Sequence, residues 1–240
     1  MDALDQTNSL YWVADRRLAT DFPPTSHALD DPPGLLAAGG DLSPGRLQSA
    51  YRLGIFPWFS PDQPVLWWSP DPRVVITPGK MHISRSLART IRRARFEIRW
   101  DYDFAGTVDA CAAPRDGQSG TWITAQMRDA YVALHEIGIA HSMECWSNGE
   151  LCGGVYGVAM GQVFFGESMF SKQRDASKVA LAALSSHLYE WGYVLLDCQI
   201  ENPHLMSLGA RNISRFDFES ILQRHVDQAP SSSAWTIVSE

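Results

Sequence analysis

No apolar run in this 240-residue chain approaches the ~20 residues needed to cross a bilayer. Its first residues scatter Asp2, Asp5, Asp15, Arg16 and Arg17 among short apolar pieces, so a signal-peptide core is not expected and a cytosolic location is. Cysteine is sparse: Cys111, Cys145, Cys152 and Cys198 form no C-x-x-C pair and have no histidine at zinc-ligand spacing. The usual structural zinc patterns are thereby excluded, and isolated buried thiols in a reducing compartment are expected, with no metal. Nor does the chain contain G-x-G-x-x-G, GKS or GKT, H-E-x-x-H or G-x-S-x-G, so dinucleotide, P-loop, zincin and nucleophile-elbow chemistries lack their sequence basis. A surplus of positive charge is missing too. With 20 Lys and Arg against 27 Asp and Glu the formal net charge is -7, which argues against coating nucleic acid by overall attraction.

Local charge differs from the total. The segment ISRSLARTIRRARF, residues 83–96, reads as an amphipathic helix with Ser84 as N-cap and Ile83, Leu87, Ile91 and Ala94 on one side. Arg85, Arg89, Arg92 and Arg93 gather on the other side, and no acid interrupts them before Glu97. A solvated helix face usually mixes signs, so a single-sign row on an acidic protein is a candidate phosphate-binding stripe; a plain solvated face is the alternative.

At 45% hydrophobic residues the chain can fill one large core or two small ones. The first 71 residues are rich in Pro, Gly and aromatics and predict a small N-terminal domain of turns, with one helix from about Ser43 to Leu53 that opens on Pro44 and ends at Gly54. Residues 72–240 form the larger domain. Its expected elements are strand Val74 to Thr77, helix 84 to 95, strand Glu97 to Trp100, a turn-rich stretch through Gly120 and helix Thr124 to Ile137. A hairpin about Asn148-Gly149 then joins strands Ala140 to Ser147 and Leu151 to Ala159, and a third strand runs from Gln162 to Met169. Asp175 is expected to cap a helix from Ala176 to Trp191 whose Val179, Ala182, Ala183 and Leu188 face the sheet. The tail from about Ala229 reads as flexible. A mostly antiparallel sheet flanked by helices is an α+β arrangement, and the element order resembles the acetyltransferase fold called GNAT.

Chemistry concentrates in Tyr193 to Gly209, YVLLDCQIENPHLMSLG, where an apolar strand ends on Asp197 and Gln199 before a turn at Asn202-Pro203. Residues two apart in a strand share a face, so the carboxylate and the amide can reach one centre while Cys198 points away. An Asp after a buried strand can equally cap a turn. GNAT enzymes hold a coenzyme A pyrophosphate on a glycine-rich turn, but no glycine lies between Met169 and Leu184, which argues against that donor.

The blocks running from PPGLLAAGGDLSPGRL through FPWFSPD and WWSPDPR, then HISRS, GTWIT, AYVALHEIGIAHSMECW, GGVYGVAMG, FFGESMFS, DASKVAL and LLDCQIENPHLMSLGA, resemble the leucyl/phenylalanyl-tRNA–protein transferases from about Phe22 to Ala210. That resemblance implies transfer of Leu, Phe or less readily Met from aminoacyl-tRNA to the α-amino group of proteins beginning with Lys or Arg, marking them for N-end rule degradation. It implies no cofactor, because the aminoacyl ester is already activated. By the same resemblance Trp58 and Trp122 would flank the terminal adenosine, and Phe164, Met169 and Leu188 would form the side-chain pocket. Glu167 would meet the acceptor's cation, Arg85, Arg89, Arg92 and Arg93 would contact tRNA phosphates, and Asp197 with Gln199 would act on the amine. Taken singly, each aromatic could be core. The chain departs from the family pattern at Glu201 and Pro203. A coenzyme A-dependent acyltransferase and a non-catalytic tRNA-binding module stand as rivals, and a monomer is expected.

Overall fold

A computed structural model of the protein describes residues 10–14, 21–114, 122–231 and 233–236. The N-terminal residues Asp2, Asp5, Asp15, Arg16 and Arg17 lie outside these, as do Gly120 and Thr121 of the GTWIT block. In chain order the strands and helices are β1 (Tyr11–Val13), β2 (Leu35–Gly39), α1 (Pro44–Arg52), β3 (Phe56–Pro57), β4 (Leu66–Trp68), β5 (Arg73–Ile76), α2 (Arg85–Arg92), β6 (Glu97–Trp100) and α3 (Phe104–Ala112). They continue with α4 (Ala125–Glu136), β7 (Ala140–Ser147), β8 (Glu150–Met160), β9 (Val163–Ser171), α5 (Ala176–Glu190), β10 (Leu195–Gln199), α6 (Pro203–Ser207), β11 (Arg211–Ile213) and α7 (Arg215–His225).

Two sheets result. A small one has the order β1-β2-β4-β3, and a larger one has the order β11-β5-β10-β9-β8-β7-β6. In the larger sheet every neighbour is antiparallel except β9 and β10, which run parallel because α5 carries the chain from one end of the sheet to the other. The Asn148-Gly149 hairpin is present, with both residues at positive φ as its turn requires. Alternation along the strands divides the core by face. Val75, Tyr156, Phe165 and Leu195 pack with α1, α3, α4, α7 and the small sheet, whereas Val74, Val155, Phe164 and Leu196 pack with α2 and α5.

Several expectations are corrected. The stretch read as turns before Gly120 contains α3, whose Asp103 accepts from the Gly106 amide at 2.9 Å and whose Phe104, Thr107, Val108 and Cys111 are buried at helical spacing. Its Gly and Thr lower helix propensity, and packing overrides them. Asp175 stands at the N-cap of α5, but with φ 69° its side chain caps nothing and instead accepts from Thr90 of α2 at 3.3 Å. Ala182 and Ala183 are only partly covered, while Ala180, Leu181 and Leu184 supply the buried face. Within the tail, the Ser231 amide donates to the Trp191 carbonyl, and Trp235 stacks on His141 with ring centroids 4.1 Å apart. Ser232 and residues 237–240 of that tail lie outside the described residues.

Among the described residues, no helix is long and apolar enough to cross a membrane.

Candidate functional site

β9 and β10 pair only as far as Phe165 and Asp197. Beyond that point they part, and a small cavity opens between them. Val155, Met169, Leu181, Leu196 and Leu205 make its apolar walls; Glu167, Asp197 and Gln199 make its polar end. An apolar hollow with a few convergent polar groups is the usual form of a small-ligand site.

The polar end is built across five elements. Asp197 is fully buried, and Arg73 of β5 grips it through Nε to Oδ1 at 2.9 Å and Nη2 to Oδ2 at 2.7 Å. The guanidinium is itself fixed, donating through Nη1 to the Gly54 carbonyl at 3.0 Å between the rings of Phe56 and Phe218. A buried ion pair is tolerated when its polar atoms find partners, and here each guanidinium nitrogen of Arg73 and each carboxylate oxygen of Asp197 has one. Asp197 Oδ1 also accepts from the backbone amide of Gln199 at 2.9 Å.

That last bond changes the geometry foreseen for the strand end. A register shift separates Asp197 and Gln199, and Gln199 adopts φ 64°, so plain alternation is replaced by a bulge. The Gln199 side chain reaches Glu167 instead, Nε2 to Oε1 at 2.8 Å. Cys198 lines the same cavity, and burial raises its thiol, followed by the nearby charge of Asp197. Glu167 is also hydrogen-bonded to Tyr51 of α1 at 2.8 Å and to Tyr131 of α4 at 2.6 Å, and the two hydroxyls lie 2.7 Å apart. Burial is the main cause that pushes the Glu167 carboxyl up to about 8.

The structure thus brings Asp197, Gln199, Glu167 and Met169 together. Phe164 and Leu188 are fully buried in the core behind the cavity rather than on its wall. Trp58 is 41% exposed with its ring 5.6 Å from that of Trp68, and Trp122 is half-buried before α4; neither lines the cavity. Arg85, Arg89 and Arg92 on α2 and Arg93 at its C-cap are all exposed, and no ion pair among the described residues engages them. Beneath them Leu87 is buried, while Ile83 and Ile91 border an open groove against α5. Glu201 accepts from Asn212 at 2.6 Å, and Pro203 opens α6, so the two unusual residues are absorbed by local structure.

Sequence reasoning missed Arg73, Tyr51 and Tyr131. Arginine in DPR and tyrosine in SAYRLG and DAYVAL carry no pattern of their own, since their partners lie 36 to 124 positions away. Asp101, His135 and His141 also come within 4.8 Å of one another, the arrangement of a possible metal ligand set. Their Nδ1 atoms are already committed, His141 to Asp101 at 2.7 Å and His135 to the Ala140 carbonyl at 2.8 Å.

Comparison with known proteins reaches nearly the whole chain. Residues 75–223 match the family profile described as leucyl/phenylalanyl-tRNA protein transferase, and residues 40–71 match that of its N-terminal domain. A leucyl/phenylalanyl-tRNA–protein transferase of Pseudomonas fluorescens (strain SBW25) is 57% identical over 226 residues, covering 94% of this chain and 99% of the relative. Its namesake from Aromatoleum aromaticum is 53% identical over 225 residues, covering 94% of each. A solved structure of L-PGS from Bacillus licheniformis shares 12% identity at a TM-score of 0.38 over 70% of this chain and 53% of that one, too little to bear on the fold. With identity above one half along nearly the full length, the chain belongs to the leucyl/phenylalanyl-tRNA–protein transferase family.

Proposed function

We propose that the protein moves Leu, Phe or less readily Met from aminoacyl-tRNA to the α-amino group of proteins beginning with Lys or Arg, in the cytoplasm and as a monomer. The observation that carries this reading is the union of Glu167 and Gln199 at the polar end of an apolar cavity in a chain of this family. The apolar walls suit a Leu or Phe side chain, and the pliable thioether of Met169 suits a cavity that takes both. Selection among apolar side chains is then graded, since a methylene is worth about 1 to 3 kcal/mol. Glu167 and Gln199 face the incoming amine. Asp197, buried beneath them, acts through Gln199.

Trp58 and Trp122 are assigned to the terminal adenosine, where stacking is worth about 1 to 3 kcal/mol per base. Phe164 and Leu188 support the cavity from behind. The arginines of α2 take acceptor-stem phosphates, which give affinity with little base information and suit an enzyme that selects by the attached amino acid. We assign residues 1–71 to a small N-terminal domain and residues 72–240 to a GNAT-like domain. The parallel β9 and β10, joined through α5 and parting at the cavity, support the latter.

The test mixes the protein with tRNA charged with radiolabelled Leu or Phe and a peptide starting with Arg. Label should move to the peptide from charged tRNA, acetyl-CoA should support no acylation, and Gln199→Ala should lower the rate about 100-fold or more. Retention of charged tRNA by folded protein without transfer would leave a binding module.

A further inference from the structure

Tyr51, Tyr131 and Glu167 close a ring of three oxygen-to-oxygen contacts, 2.7, 2.8 and 2.6 Å long. Each contact at such a length needs a proton between its oxygens. Two tyrosine hydroxyls supply two. Burial, the largest influence on both, pushes these hydroxyls well above their ordinary range, so neither tyrosine is an anion. The third proton therefore belongs to Glu167. As a carboxylate accepting from both tyrosines, Glu167 leaves the contact between the two hydroxyls without hydrogen; as an acid that donates to one tyrosine and accepts from the other, it completes the ring. The Gln199 amide brings its own proton to Oε1 and does not alter the count.

The other groups facing Glu167 act both ways. After burial, the hydrogen bonds of Tyr131 and Tyr51 lower its carboxyl, Asp197 of β10 raises it and Arg73 of β5 lowers it, while Tyr156 of β8 is buried close by with its own hydroxyl raised. Burial exceeds them all. Asp197 is placed differently: Oδ1 accepts from Arg73 and the Gln199 amide, Oδ2 accepts from Arg73, and the side chain is sealed from solvent. Two carboxyls in one site, one ringed by hydroxyls and one gripped by a guanidinium, divide their roles by environment.

We infer that Glu167 rests as a neutral carboxylic acid and is the group through which a proton passes from the attacking nitrogen to the departing ribose oxygen, Asp197 and Arg73 being positioning residues. This rests on the transfer reading above. In the step, the neutral amine forms its bond to the ester carbonyl carbon and the bond from that carbon to the ribose oxygen breaks. One proton leaves nitrogen for a Glu167 oxygen as the proton already on the carboxyl goes to the ribose oxygen. Glu167 ends as it began.

Infrared difference spectroscopy of the protein against Glu167→Gln tests the resting state without substrate. A protonated-carboxyl band belonging to Glu167 should be present at pH 6 and fade as pH rises through about 8; absence of that band at pH 6 overturns the inference. Single-turnover transfer tests the step. Glu167→Gln should transfer about 100-fold or more slowly while binding charged tRNA within threefold of the unaltered protein. The double variant Arg73→Gln/Asp197→Asn, which keeps an oxygen for the Gln199 amide, should stay within tenfold. A fast Glu167→Gln, or a folded double variant as slow as Glu167→Gln, overturns the assignment. If the unaltered protein shows the band but transfers nothing, the transfer reading fails instead.

Discussion

Asp197 illustrates how a residue can support a site from beneath it. It is sealed from solvent and bonded to Arg73 and to the Gln199 amide, so truncating it removes two supports at once. Asp197→Ala leaves the buried guanidinium of Arg73 unpaired, at a cost of about 3 to 5 kcal/mol. Loss of transfer in that variant therefore reports stability as well as chemistry. Arg73→Met/Asp197→Leu separates the two, because apolar replacement of a buried pair is often neutral or stabilising. In thermal unfolding the double variant should melt well above Asp197→Ala, yet transfer should stay lost, since the left-handed turn at Gln199 no longer has its acceptor.

Two elements present chemistry that neither could present alone. Strand β10 ends in a bulge, and the bulge turns Gln199 toward Glu167 where β9 and β10 separate. Helix α2 carries its charge as a row: Ser84 accepts from the Leu87 amide at 3.2 Å, Leu87 anchors one side, and the arginines stand in solvent. Replacing Arg85, Arg89, Arg92 and Arg93 together by Ala should weaken tRNA binding. Plots of log affinity against log salt should flatten by about 0.7 to 0.9 for each phosphate that the variant no longer neutralises. Transfer from a minimal donor, the aminoacyl ester of adenosine, should be little changed because it lacks the stem. An unaltered salt slope would remove α2 from the tRNA interface.

At the scale of the whole molecule the two sheets are not independent. Tyr51, Phe56 and Trp67 from the first 71 residues share a core with Tyr131, Phe165 and Phe218. Arg52 pairs with Asp227, Arg215 donates to the Ser69 carbonyl at 2.8 Å, and Thr25 bonds Glu219, so α7 ties the N-terminal region to the larger sheet. Gly54 shows how close the packing is: at φ 75° it faces Phe218, and a Cβ there would come within 2.7 Å of the ring. Phe218→Ala should cost about 3 to 5 kcal/mol. It also strips one face from the Arg73 guanidinium, so Tm and transfer rate should fall together in one cooperative transition. Two separate transitions, with the larger sheet unaffected, would contradict a shared core.

What the sequence determined by itself were features with short range. Period and punctuation mark α1, α2, α4, the Asn148-Gly149 hairpin and the strand carrying Asp197 and Gln199, because the physics that makes them acts over a few residues. Ordered motifs carried the family. Helix α3 was legible in the spacing of Phe104, Thr107, Val108 and Cys111 but was masked by residues of low propensity. Only the tertiary structure decided that Asp197 is gripped by Arg73, that Tyr51 and Tyr131 enclose Glu167, and that Phe164 and Leu188 sit behind the cavity rather than on its wall. Those outcomes depend on burial and on partners up to 124 positions apart. The state of a carboxyl follows from the groups that surround it after the chain has folded, and no local pattern in the sequence encodes them.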